Sequence, residues 1–163
     1  YTRHPVITVT APQISEIVNS GSGDFVAGPL SGSEVTIVNS GSGDITAATL
    51  SGNEVSVVIS GSGDVMTDAV DATSLKATLS GSGDLTMSGE AVTGRLVVSG
   101  SGTVYSRYCS CNAATVTLSG SGSVYTTVYD QLDAVISGSG NIYLAGDPDI
   151  NLTRTGSGRV IPL

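Results

Sequence analysis

Ser40-Gly41-Ser42-Gly43-Asp44 decides the fold, because the chain keeps repeating it. Related phrases open at Ser20, Ser60, Ser80, Ser99, Ser119, Ser137 and Thr155, so the eight starts lie 20, 20, 20, 19, 20, 18 and 18 residues apart. A fixed period near 20 is the mark of a solenoid, in which each winding touches only its neighbours. No catalytic motif in the chain is as strong as this rhythm.

Working outward, the residues before each phrase alternate. Three before it stand Ile17, Ile37, Val57, Ala77, Leu96, Val116, Ala134 and Leu152; four before it stand only polar residues, from Glu16 and Thr36 to Asp133 and Asn151. Between phrase and apolar line sits a position that is always Val or Thr, among them Val18, Val38, Thr78 and Thr117. Period-two alternation makes this a strand with one face inward, and branched residues suit the pleated outer face. After the phrase comes an apolar residue in all eight copies: Phe25, Ile45, Val65, Leu85, Val104, Val124, Ile142 and Val160. A third anchor line reads Leu30, Leu50, Val70, Cys109 and Tyr129, interrupted by Glu90 and Asp147, and the shortened winding between Ser80 and Ser99 is expected to lose its residue in the turn before Gly94.

One winding of about 20 residues cannot bury its Val, Ile and Leu alone; stacking gives a common core and satisfies the backbone between windings. The prediction is an all-β, single-stranded parallel β-helix-like solenoid over residues 1–163, with a lead-in at 1–13 and repeated coils at 14–163. Adjacent strands roughly 4.8 Å apart would make a rod on the order of 35–40 Å long. A hairpin meander is the alternative; there the phrases would mark every second turn. Val6, Ile7 and Val9 predict a short lead-in strand capping the first coil, and His4 reads as an ordinary surface or cap residue.

Gly is 22 of 163 residues without a G-X-Y period, which excludes collagen. Charged residues are only 12%, and apolar residues recur throughout, which argues against disorder. The net charge of -8 argues against nucleic acid and against docking on anionic lipid. No stretch reads as a membrane span. Tyr1 is not an initiator Met, so the start reads as a mature end from which a signal peptide has been removed.

Within the phrase, glycine allows positive φ or close approach of neighbouring windings. Asp24, Asp44, Asp64 and Asp84 close the first four phrases, and Thr103, Ser123, Asn141 and Arg159 the rest. Asp, Ser, Thr and Asn share a capacity to accept from turn amides, so the aspartates read as a structural turn ladder. One Asp per coil leaves too few oxygen ligands for a calcium ladder. No metal and no cofactor is expected. Asn19 and Asn39 fall on an apolar line and read as a two-rung Asn ladder whose side chains bond to each other. Cys109 aligns with Leu50 and Val70 and reads as a buried small hydrophobe, Cys111 aligns with Gly52 at a turn, and both read as inert, since no basic partner is in view; a strained C-x-C disulfide is the alternative. The outward neighbour of the post-phrase residue is Tyr105, Tyr125 and Tyr143 in three successive copies, with Tyr108 and Tyr129 nearby. This row is the candidate binding site; packing between coils is the competing reading.

With SGSGD at 20, 40, 60 and 80, an apolar residue after each, and weaker phrases at 99, 119, 137 and 155, the chain resembles the auto-transporter adhesin head domain, or GIN domain, of secreted Bacteroidetes-type proteins. The resemblance implies a right-handed solenoid outside the cytoplasm, in the periplasm, on the outer membrane surface or secreted. It supplies no catalytic residues. The expected function is a non-catalytic cell-envelope or surface protein, an adhesin or binding scaffold. Its partners would be a glycan, a surface protein or a second copy of the chain, with no nucleic acid and no membrane insertion. The alternatives are a glycan-processing enzyme, for which Glu90 and Asp147, which break the inward line, are the only candidates, and a self-assembling rod.

Overall fold

The computed structural model describes residues 6–163. Its strands are β1 (Glu16–Asn19), β2 (Phe25–Ala27), β3 (Leu30–Asn39), β4 (Ile45–Ile59), β5 (Val65–Leu79), β6 (Leu85–Val98), β7 (Val104–Leu118), β8 (Val124–Ile136), β9 (Ile142–Ala145), β10 (Asp149–Arg154) and β11 (Val160–Pro162). β4 to β8 each follow almost a whole winding. β2 with β3, and β9 with β10, are windings broken at Gly28-Pro29 and at Gly146-Asp147-Pro148, where proline withdraws a backbone donor.

Every pairing is parallel. The order is β1-β3-β4-β5-β6-β7-β8-β9-β11, with β2 on β4 and β10 on β8. Identical positions of the repeat therefore stack: Ile45 pairs with Val65, Val65 with Leu85, Leu85 with Val104, Val104 with Val124, and Val124 with Ile142. This parallel β-solenoid of about 20 residues per winding is the predicted fold; a meander would have paired its strands antiparallel. The inward lines form one continuous core that includes Leu50, Leu79, Leu118 and Ile136, all fully buried. Each such side chain contributes about 1.5–3 kcal/mol relative to leaving it in water.

The corners stack as closely as the strands. Ser62 N–H donates to Gly41 O at 3.2 Å, and Ser60 N–H to Asn39 O at 2.9 Å. A Cβ on Gly61 would fall on the carbonyl oxygen of Gly41, and one on Gly43 on that of Gly23. Of the two uses of glycine in the phrase, the structure employs close approach; positive φ occurs among the described residues only at Gly89 and Gly146.

Those two glycines explain where the third anchor line departs from its sequence reading. The register between β5 and β6 changes between Thr67 and Val70, so the winding between Ser80 and Ser99 loses its residue beside Met87, well before Gly94. Gly89, at φ 116°, then lies opposite Val70, and Glu90 turns outward beside Asp71 and Ser110. Glu90 is therefore not on the inward line. Gly146 takes the same role over Val128, leaving Asp147 exposed. Further along, Val128 is the buried residue opposite Cys111, and Tyr129 is 56% exposed. The predicted Tyr129 anchor is thus displaced by its neighbour. A slip by an odd number of residues exchanges the two faces of a strand, and the register changes here are of one residue or, between Ser106 and Ser110, of three.

The lead-in also differs. Val6, Ile7 and Val9 form no strand and are 88%, 86% and 74% exposed. Alternating branched residues favour a strand only where an edge accepts them, and β1 begins at Glu16 and pairs with β3. His4 lies outside the described residues.

Asn19 and Asn39 stack in register and are buried, but their amides do not bond to each other. Asn19 Nδ2 donates to Gly23 O and Gly43 O at 3.1 and 3.2 Å, and Asn39 Nδ2 to Gly43 O and Asp64 O at 2.9 and 3.3 Å. The glycine corners present carbonyl oxygens within reach, and these take the donors. The pair therefore ties strand to corner.

The aspartates accept backbone amides as expected, but the amide belongs to the next winding. Asp24 Oδ1 takes Asp44 N–H at 3.0 Å, Asp44 takes Asp64 at 2.8 Å, Asp64 takes Asp84 at 2.7 Å, and Asp84 takes Thr103 at 2.7 Å. Asn141 repeats the contact with Arg159 N–H at 3.0 Å. The need is for an acceptor oxygen, which explains why Asn serves where Asp is lost.

Candidate functional site

The parallel register carries the three tyrosines into one row. Tyr105 pairs with Tyr125 and Tyr125 with Tyr143 on the outer face of β7, β8 and β9. The first two rings stack with centroids 5.3 Å apart at 17°, the second two at 4.4 Å and 8°. The winding interval sets this spacing, and near-parallel rings at such distances attract.

Stacking consumes the ring faces. Tyr125 is covered on both sides by its neighbours, while Tyr105 is flanked by Thr86 and Tyr143 by Ile161 in the same column. What the row offers to solvent is ring edges and hydroxyls. Partial burial raises the Tyr125 pKa, as do the neighbouring hydroxyls of Tyr143 and Tyr105 and a hydrogen bond with Tyr143.

Polar residues flank the row. Thr103, Ser123, Asn141 and Arg159 stand two positions before it, and Ser88, Arg107 and Thr127 two positions after; Thr127 Oγ1 donates to Arg107 O at 2.6 Å. The carboxylates Asp24, Asp44, Asp64 and Asp84 lie further up the same columns. The rod thus has an acidic first half and a tyrosine-bearing second half that carries Arg107 and Arg159. Tyr108 and Tyr129 are exposed but do not join the stack.

The other sequence candidates remain apart from this face. Glu90 and Asp147 sit three windings from each other, roughly 14 Å along the axis, beyond the roughly 5–9.5 Å that paired glycosidase carboxylates need. Among the described residues no three His, Cys, Asp or Glu gather as a metal site. Cys109 and Cys111 are free and buried; burial and the neighbouring Cys111 push the Cys109 thiol up to about 12, and burial pushes Cys111 up to about 11. No helix is long and apolar enough to cross a membrane among the described residues.

One feature escaped the sequence reading. Beside the next corner a cleft of about 320 Å³ is lined by Asp71, Glu90, Val92, Ser110, Asn112 and Tyr129, over a floor of Ala72 and Ala91. Its residues come from four windings, and only the register changes bring them together.

The family model described as "Putative auto-transporter adhesin, head GIN domain" matches residues 2–148. Among solved structures, a "putative lipid binding protein" from Parabacteroides distasonis ATCC 8503 is similar at 27% identity and TM-score 0.84, over 91% of this chain and 61% of its own. This chain therefore spans less than two thirds of that protein. A "putative adhesin" from Bacteroides fragilis NCTC 9343 is similar at 17% identity and TM-score 0.79, over 93% of both chains. Another from Parabacteroides merdae ATCC 43184 is similar at 16% and 0.74, over 95% of this chain and 94% of its own. The last two likenesses concern the fold alone. No curated protein matches the chain.

Proposed function

This chain belongs to the GIN-domain family of auto-transporter adhesin heads, and from that premise we propose that its tyrosine row is the contact surface of a rigid adhesive scaffold. The family's location is extracytoplasmic, at the cell envelope or secreted, and its role is non-catalytic. The observation that carries the reading is the ordered stack of Tyr105, Tyr125 and Tyr143 on an open sheet face. Tyrosine offers large, amphipathic contact area at low entropic cost, and here packing has already fixed the rings.

Because the faces are spent, a sugar ring laid flat on the row gains little. Hydroxyls and ring edges at a regular interval suit a protein surface, with main-chain carbonyls and apolar side chains as counterparts. The favoured partner is therefore a protein on another cell or in an extracellular matrix.

The test compares wild type with the triple Tyr105→Ser, Tyr125→Ser, Tyr143→Ser variant on immobilised collagen, laminin and mucin by surface plasmon resonance. Circular dichroism establishes that the variant is folded, and light scattering over a concentration series separates partner binding from self-association. Loss of binding in the folded variant supports the reading; undiminished binding overturns it.

A further inference from the structure

We infer that the cleft between Asp71 and Tyr129 is a second binding site, and that it takes a neutral disaccharide unit of a glycan. The inference stands independently of the tyrosine row.

The cleft is built by two departures from the repeat. Gly89 turns Glu90 outward, so that Asp71, Glu90 and Ser110 follow one another on successive windings. A bulge in β8 then sets Tyr129 and Asp130 together opposite Asn112, since Cys111 pairs with Val128 and Ala113 with Gln131. Bulges of this kind re-aim a side chain, and here the bulge leaves Tyr129 projecting as the far wall. From Asp71 to Tyr129 spans three winding intervals, roughly 14 Å. At about 320 Å³ the cleft reaches the lower bound of ordinary ligand pockets.

Its chemistry is mixed in the way a sugar requires. Two carboxylates accept from hydroxyls, the Asn112 amide both donates and accepts, and Ser110 does the same. Tyr129 and Val92, 56% and 50% exposed, supply an apolar wall for the C–H face of a pyranose. The buried alanines Ala72 and Ala91 keep the floor low.

The polar groups are unspent. A few outward side chains elsewhere do satisfy one another, as in the Lys76–Glu54 ion pair and the Asn151 and Gln131 contacts with Asp133. Among the described residues no such side-chain partner serves Asp71, Glu90, Ser110, Asn112 or Tyr129. Charge then selects the ligand. Two unpaired carboxylates on adjacent windings, on a chain of net charge -8, repel uronic and sialic acids. A hard cation wants six or more oxygens and has no use for the ring and valine wall.

The experiment is a titration of the isotopically labelled chain, followed by amide shifts, with cellobiose, maltose, lactose, chitobiose and xylobiose, and separately with calcium chloride. At least one disaccharide should move the Glu90, Asn112 and Tyr129 signals saturably. Tyr129→Ala should weaken that binding about tenfold, and Asp71→Asn with Glu90→Gln should weaken it further. The triple variant of the tyrosine row should bind the sugar as wild type does, so the two sites fail or succeed separately. No shift with any disaccharide, binding undiminished by Tyr129→Ala, or shifts produced by calcium alone would overturn the inference.

Discussion

The sulfur of Cys111 occupies the space that a side chain at Gly94 would need: a Cβ on Gly94 would lie 2.8 Å from Cys111 Sγ. Gly94 stands in the column of Leu75, Ala114 and Leu132, whose outer members are large. The thiol, arriving from the neighbouring column, restores volume that the glycine removes. Both residues make one packing unit across two windings.

Gly94→Ala should therefore destabilise the chain by about 1–2 kcal/mol through overpacking. Combining it with Cys111→Ala should recover part of that loss, with a coupling of about 0.5 kcal/mol or more. Urea denaturation of the two single variants and the double measures the coupling; strict additivity would refute the shared volume.

The corner glycines make a sharper contrast. A Cβ on Gly43 meets the Gly23 carbonyl of the winding below, whereas Gly23 has nothing within 4 Å. Gly23→Ala should stay within about 0.5 kcal/mol of wild type, and Gly43→Ala should lose more than about 4 kcal/mol or fail to fold. Thermal unfolding of the pair checks it; equal effects would show that the stacking of corners is not the reason for the glycines.

Replacing Asp64 tests the ladder. Asp64 Oδ1 accepts the Asp84 amide at 2.7 Å on an exposed edge. Asp64→Asn keeps an acceptor and should change stability by less than about 0.5 kcal/mol, while Asp64→Ala should cost about 1 kcal/mol. If Asn proves as costly as Ala, the carboxylate charge matters and the acceptor argument fails.

The thiols predict a pH dependence. Burial raises Cys109 from the ordinary 9.0 to about 12 and Cys111 to about 11. The unfolded chain releases these protons first, so the folded chain binds more of them between pH 9 and about 12. Stability is then fully present below about 9 and falls as pH rises through that window. Tyr125, also raised, acts in the same direction. Guanidinium denaturation at pH 7, 9 and 10.5 should show the decline, and the Cys109→Ala, Cys111→Ala double variant should flatten it. The same burial should leave both thiols unreactive toward Ellman's reagent at pH 8 until the chain unfolds.

The parallel stack was legible because Ile45, Val65 and Leu85 recur at one offset from an unmistakable phrase, and a residue at that offset must share a column. The tyrosine row was legible for the same reason. The pattern misplaces Glu90, Tyr129 and the residue missing between Ser80 and Ser99, because there the offset itself changes. There the pattern offers two adjacent residues for one inward slot, and backbone geometry chooses. Gly89 and Val128 took slots that alternation had given elsewhere. The cleft depends on both choices at once, so no local pattern could announce it. The Asn ladder failed differently: Asn19 and Asn39 were rightly paired, but the competing carbonyls at Gly23 and Gly43 belong to a corner whose approach the sequence does not display.

Backbone hydrogen bonds in this molecule run along the axis, from each winding to the next, as from Ser62 to Gly41. A tether pulling the two ends apart therefore strains the interfaces in series, and the outermost turn, held on one side only, peels before the rest. Each released turn of about 20 residues pays out roughly 65–70 Å of chain. Under tension such a head lengthens stepwise, shedding load while the remaining windings, and any contact they hold, stay intact.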